Sequence, residues 1–261
     1  MNILDEIIAH KQTEVAERKS LYPTKLLEKS IYFSSPTVSL RKYIQRPDKS
    51  GVIAEIKRKS PSKGVLNKSV SIERTSIGYM QAGASALSIL TDTKFFGGTN
   101  DDLITARKFN FCPILRKDFT IDEYQIIEAK SIGADAILLI AAALEAKTAA
   151  RLADFAHSLG LEVLLEVHDE EELRNVSNVD ADLIGVNNRS LKTFEVSIEI
   201  SKRLASLIPP GKVKVSESGL SDPAAIAELK KVGYEGFLIG ETFMKHGRPE
   251  EAAMEFIKQL K

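Results

Sequence analysis

Short apolar runs recur along the chain, and most end on a polar or ionisable residue. The clearest are Val52-Ile53-Ala54-Glu55-Ile56-Lys57, Pro113-Ile114-Leu115-Arg116-Lys117, Val163-Leu164-Leu165-Glu166 and Leu183-Ile184-Gly185-Val186-Asn187. Such runs have strand length rather than helix length. An ionisable group at the end of a buried strand is costly as structure alone, because an unpaired buried charge costs several kcal/mol. Its recurrence in one chain indicates parallel strands whose ends converge on a site.

Strand-like runs fall at 51–57, 84–91, 113–117, 134–141, 161–167, 183–187, 212–217 and 236–240. Between them lie helical windows at 71–82, 122–132, 145–159, 169–176, 195–207, 222–232 and 249–260. Gly83, Gly133, Gly160 and Gly233 stand where helix C-caps are needed. Alternating strand and helix implies right-handed crossovers in a parallel sheet. Eight such units predict an α/β fold, a (β/α)8 TIM barrel; six would give an open doubly wound sheet. The first residues differ: Ile3, Ile7, Ile8 and Val15 form an amphipathic helical stripe, followed by a polar stretch punctuated by Pro23, Pro36 and Pro47. The expected division is a helical extension, 1–48, packed on a catalytic barrel, 49–261.

Composition narrows the function. The 261 residues carry 36 Lys plus Arg against 36 Asp plus Glu, a net charge of zero. That favours neither nucleic acid nor a membrane surface as a partner. The single cysteine, Cys112, permits no internal disulfide and suits a reducing compartment. Without an apolar signal core or a membrane-length apolar run, the expectation is a cytoplasmic protein, with a monomer favoured. Scattered histidines and a lone cysteine predict no metal site, and no dinucleotide fingerprint follows the first strand.

Glu55 and Lys57 are two apart on one strand and face the same way. The basic loop behind them, Arg58 to Gly64, reads either as solvated or as a source of anion contacts. Lys117 could snorkel to solvent or pair with Asp118, or act as a general acid aimed into a closed site. Glu166 has no local structural explanation and is a candidate base. His168 does: Asp169 and Glu172 beside it look like a helix start. Asn187 and Arg189 share a face, as a turn or as a hydroxyl and anion anchor. Gly219 and Gly240 follow the seventh and eighth runs, where barrels commonly seat phosphate.

Seven segments, EIKRKSPSKG, SILTDTKFFGG, PILRKDFTIDEYQI, LLEVHDEEEL, GVNNR, VSESG and FLIGETFM, resemble indole-3-glycerol-phosphate synthase in order, over about 51–245, and the N-terminal helix resembles that family's extension. The resemblance implies a carboxy-lyase of tryptophan biosynthesis that closes the ring of 1-(2-carboxyphenylamino)-1-deoxyribulose 5-phosphate, releasing carbon dioxide and water without metal or pyridoxal. It implies Lys117 as general acid, Glu166 as its partner in dehydration, and Lys57 on the substrate carboxylate, with the order of the two lysines open. Glu55 and Asn187 orient these groups, Ser218 and Glu217 meet the sugar, and Arg189 is a further substrate contact. Ser60, Gly219, Gly240 and Glu241 surround the phosphate, Glu241 through its backbone N–H. Phe96 and Phe119 flank the anthranilate ring. The alternatives are a phosphoribosylanthranilate isomerase-like barrel, which would need a cysteine in the site, and a non-catalytic phosphosugar-binding barrel.

Overall fold

The computed structural model describes residues 3–190 and 194–260. Eight strands form its centre: β1 Val52–Ile56, β2 Ala86–Leu90, β3 Ile114–Lys117, β4 Ala136–Ile140, β5 Glu162–Val167, β6 Leu183–Asn187, β7 Val213–Glu217 and β8 Gly236–Ile239. Each pairs in parallel with its neighbours in sequence, and β8 returns to β1 with Val52 opposite Phe237, closing the barrel. The architecture is the expected TIM barrel.

Side-chain alternation divides each strand between two cores. Val52, Ala54 and Ile56 pack outward against the helices, as do Val163, Leu165 and Val167. Ile53, Ala86, Leu115, Ala136, Leu138, Leu164, Leu183, Val215 and Leu238 fill the interior. Moving along β1, β3, β5, β6 and β7, the interior positions change from apolar to polar: Ile53 to Glu55, Leu115 to Lys117, Leu164 to Glu166, Leu183 to Asn187 and Val215 to Glu217. The barrel is a packed core at its N-terminal end and a ring of ionisable groups at its C-terminal mouth.

Helices connect the strands, and Gly83, Gly133, Gly160 and Gly233 end theirs with φ of 98, 91, 75 and 93°, the left-handed region that glycine enters without strain. Short helical turns at Thr93–Phe96 and Glu241–Met244 were not expected, and two longer stretches also depart from the sequence expectation. A helix at Asn100–Phe109 was not among the expected windows; Thr99 and Asp102 form its capping box, a signature in the sequence that lies next to a Phe-Gly-Gly turn. The window 195–207 contracts to Glu199–Leu204, because Val196 forms a bridge with Arg189 instead of helix.

The N-terminal segment carries three helices, Ile3–Leu21, Thr24–Leu27 and Leu40–Ile44. Leu40 and Ile44 join the interior core and plug the N-terminal end of the barrel. The buried stripe of the first helix is Leu4, Ile7, Lys11 and Val15. Ile3 and Ile8, expected in the stripe, are half-buried, and a lysine occupies its centre. Among the described residues no helix is long and apolar enough to cross a membrane.

Candidate active site

At the C-terminal mouth of the barrel lies a cavity of about 190 Å3. Every sequence candidate lines it: Glu55, Lys57, Ser60, Phe96, Lys117, Phe119, Glu166, Asn187, Arg189, Glu217, Ser218, Gly219, Gly240 and Glu241. Leu90, Leu138 and Ile140 supply apolar wall from β2 and β4, and Ile3, Leu4 and Ile7 add a contribution from the first helix. Leu90 and Ile140, the last residues of β2 and β4, are therefore part of the enclosure.

Lys117 stands at the centre. Its Nζ lies 2.9 Å from Glu166 Oε2 and 2.9 Å from Glu217 Oε2. Asp118 turns away, toward Lys11 and Arg116, which removes the local Lys117–Asp118 pairing that the sequence allowed. Asn187 Nδ2 donates to Glu166 Oε1 at 3.0 Å, and its Oδ1 accepts from the Arg189 backbone N–H at 3.0 Å. Lys57 Nζ sits 2.8 Å from Glu55 Oε1. Room for these carboxylates comes from missing side chains: a Cβ at Gly185 would overlap Glu217 Oε1, and one at Gly240 would lie 2.5 Å from Glu55 Oε1.

The two carboxylates on Lys117 are unequal. Burial alone would raise both. At Glu166 it is outweighed by Lys117, His168 and the Asn187 N–H, which hold its pKa well below the usual carboxylate range. At Glu217 burial dominates, Lys117 only partly offsets it, and the nearby charge of Glu166 adds to it, so its pKa is raised. Glu217 Oε1 is buried without a hydrogen-bond partner. Burial opposes the charge on Lys117, but Glu166, Glu217 and Glu55 outweigh it and raise its pKa, so it remains an ammonium. The sequence reading placed Glu217 with the sugar and missed that it shares Lys117.

His168 keeps its structural role and gains another. Its backbone N–H and Nδ1 meet Glu172 Oε2 at 2.8 and 3.1 Å, while Nε2 lies 3.4 Å from Glu166 Oε1. The expected anion contacts of the Arg58–Gly64 loop are mostly committed elsewhere. Arg58 binds Asp102 at 2.5 Å and the Gly97 carbonyl at 3.1 Å, and Lys59 Nζ donates to the Lys94 carbonyl at 2.5 Å. Lys59–Ser60 pairs with Gly64–Val65 as a small antiparallel ribbon, which fixes Ser60 at the cavity edge. Of these cations Lys63 approaches the far end of the cavity, 3.7 Å from Glu241 Oε1.

That end is built from β6, β7 and β8. Ser218 and Gly219 are both left-handed, with φ of 68 and 73°, a sharp turn that lets backbone N–H groups approach an anion. Ser218 adopts this conformation as a non-glycine residue, a strain of about 1–3 kcal/mol of the kind retained at functional sites. Arg189 Nη2 is 3.3 Å from Glu241 Oε2. Opposite, Phe96 and Phe119 face each other at 5.9 Å with a 37° tilt, forming an aromatic wall. Cys112 lies just before β3, at the far end of the barrel, and burial pushes its thiol up to about 12. Among the described residues no group of three or more His, Cys, Asp or Glu could hold a metal ion.

The family model for indole-3-glycerol phosphate synthase matches residues 4–257. The chain belongs to the indole-3-glycerol phosphate synthase family. It is 50% identical to the indole-3-glycerol phosphate synthase of Bacteroides thetaiotaomicron over 259 residues, covering 99% of both chains. It is 42% identical to that of Caldanaerobacter subterraneus subsp. tengcongensis over 261 residues, again covering 99% of each. Solved structures of other activities share the fold alone. An N-acetylmannosamine-6-phosphate 2-epimerase from Clostridium perfringens matches with a TM-score of 0.62 at 16% identity, covering 85% of this chain and 96% of that one. Thiamine phosphate pyrophosphorylase from Pyrococcus furiosus matches with a TM-score of 0.60 at 15% identity, covering 85% and 98%. Membership of the indole-3-glycerol phosphate synthase family fits a mouth with charged groups on one side and an aromatic wall on the other.

Proposed function

We propose that the chain converts 1-(2-carboxyphenylamino)-1-deoxyribulose 5-phosphate to indole-3-glycerol phosphate, carbon dioxide and water. The observation that carries this reading is Lys117, an ammonium held between Glu166 and Glu217 in the mouth of the barrel. The carboxylate-bearing ring carbon attacks the ketone, and the carbonyl oxygen gains negative charge and takes a proton. Lys117 suits the task of stabilising that oxygen and supplying the proton. The bond to the carboxylate then breaks, and its electron pair neutralises the cationic ring, so carbon dioxide leaves. In the last stage the hydroxyl departs as water with a proton from an acid, and a base takes a proton from the adjacent CH2 to complete the indole. Glu166 suits this dehydration as partner carboxylate, with Lys57 able to meet the substrate carboxylate or donate. Glu55 and Asn187 orient these groups through their contacts with Lys57 and Glu166.

The aryl end suits the wall of Phe96 and Phe119, and the phosphate end suits Ser60, Gly219, Gly240, the Glu241 backbone N–H and Arg189. Ser218 and Glu217 lie between, beside the sugar. The Glu241 carboxylate pairs with Arg189 and Lys63, and a substrate phosphate would compete with it for these cations. An isomerase chemistry that needs a cysteine in the site has no support, since Cys112 is at the opposite end. Indole fluorescence after mixing the substrate with micromolar enzyme tests the reading: product is expected, and no product overturns it. Binding without product would leave the phosphosugar-binding alternative.

A further inference from the structure

Lys11 is an odd residue to find on the buried face of a helix. Its side chain is wholly buried. Leu4, Ile7 and Val15 already supply the apolar stripe that seats the helix, and a hydrophobic residue of similar volume is often at least as stabilising as a buried ion pair. Its Nζ meets three carboxylates: Asp118 at 2.9 Å, Asp92 at 3.0 Å and Glu14 at 3.1 Å. Glu14 is its neighbour on the same helix. Asp92 and Asp118 follow two different barrel strands, β2 and β3, and bring those strand ends to one point.

Each of these aspartates holds one half of the aromatic wall. Asp92 Oδ1 accepts the backbone N–H of Phe95 at 2.7 Å and of Phe96 at 3.2 Å, capping the Thr93–Phe96 turn. Asp118 Oδ1 accepts the backbone N–H of Phe119 at 2.8 Å. Phe96 and Phe119 then face each other across 5.9 Å. Arg116, 3.4 Å from Asp118, offsets part of that carboxylate's charge, but without the Lys11 ammonium the two buried carboxylates would still stand no more than about 6 Å apart and repel. We propose that Lys11, from outside the barrel strands, is a positioning residue that sets the spacing of Phe96 and Phe119 and thereby the recognition of the substrate's aryl group. This inference rests on the activity proposed above.

Calorimetry with two probes tests it: the ketone-reduced analogue of the substrate, which keeps the aryl group but cannot close the ring, and ribulose 5-phosphate, which lacks it. In Lys11→Met, affinity for the aryl probe is expected to fall roughly tenfold, while affinity for ribulose 5-phosphate changes less than about twofold. KM rises more than kcat falls, and Lys11→Arg recovers most of the aryl affinity. Unchanged affinity for the aryl probe, or equal loss for both probes, overturns the inference. Should Lys11→Met not fold, K11M/D118N removes the ammonium together with one partner and carries the same comparison. A wild-type enzyme that binds the aryl probe no better than ribulose 5-phosphate would instead overturn the substrate assignment, and the role of Lys11 with it.

Discussion

At the residue scale the mouth of the barrel is a problem in charge placement. Lys117 donates to two carboxylates of unequal basicity, and the inequality has a visible cause: Glu166 has Lys117, Asn187 and His168 against it, whereas one oxygen of Glu217 has no partner. Lys117→Ala is expected to lower kcat by about 10³-fold while a product analogue still binds; unchanged turnover would remove Lys117 from its role. The raised Glu217 pKa gives a signed pH dependence. Below it Glu217 is neutral and the site carries one fewer negative charge toward a substrate bearing phosphate and carboxylate. Substrate affinity should therefore decline, and KM rise, as pH climbs through that raised pKa. Lys117, Glu166, Glu55 and His168 also act on Glu217, so the comparison is with Glu217→Gln, which stays neutral and should flatten this limb. A KM profile identical in the two proteins would show that another group controls it.

At the element scale the first helix is held to the barrel by charge as well as by its apolar stripe. Lys11 reaches Asp118, and Arg18 reaches Glu128, which also holds Arg116. Burial would raise the Asp118 pKa, but Lys11 and Arg116 outweigh it and lower it from 3.8 to about 2. A depressed carboxylate contributes stability above its unfolded value and loses it as pH falls through the folded one. Between pH 3.8 and about 2, hydrogen exchange in Ile3–Leu21 should accelerate relative to the barrel strands; loss of protection in both together would contradict this. The presence of the helix was legible from apolar spacing, but its seating was not. Periodicity counts apolar residues, and Lys11 lies on the buried face only because Asp92 and Asp118, far away in sequence, come to meet it. The Asn100–Phe109 helix escaped for the opposite reason: its signal is local, a Thr99–Asp102 capping box, behind a turn that dominates the stretch.

At the scale of the whole molecule the barrel separates stability from chemistry. Leu40 closes the N-terminal end within the interior core and is fully buried. Leu40→Ala should lower unfolding free energy by about 2–5 kcal/mol with little change in KM or kcat, measured by denaturant unfolding and by the indole assay; a large kinetic effect would show the two ends to be coupled. The sequence alone determined the number and order of strands, the polarity of each strand end and the two glycine turns, because period-two alternation and apolar run length are local properties of the chain. It also carried the motifs by which the family is recognised. The tertiary structure decided which charges meet. Glu217 shares Lys117 with Glu166, Glu241 occupies Arg189 and Lys63, the loop cations Arg58 and Lys59 bind protein instead of solvent or ligand, and Lys11 joins the ends of β2 and β3. Those pairings follow from barrel closure, which brings strand ends 49 and 100 residues apart within 2.9 Å of one ammonium, and no local pattern in the chain encodes a distance of that kind.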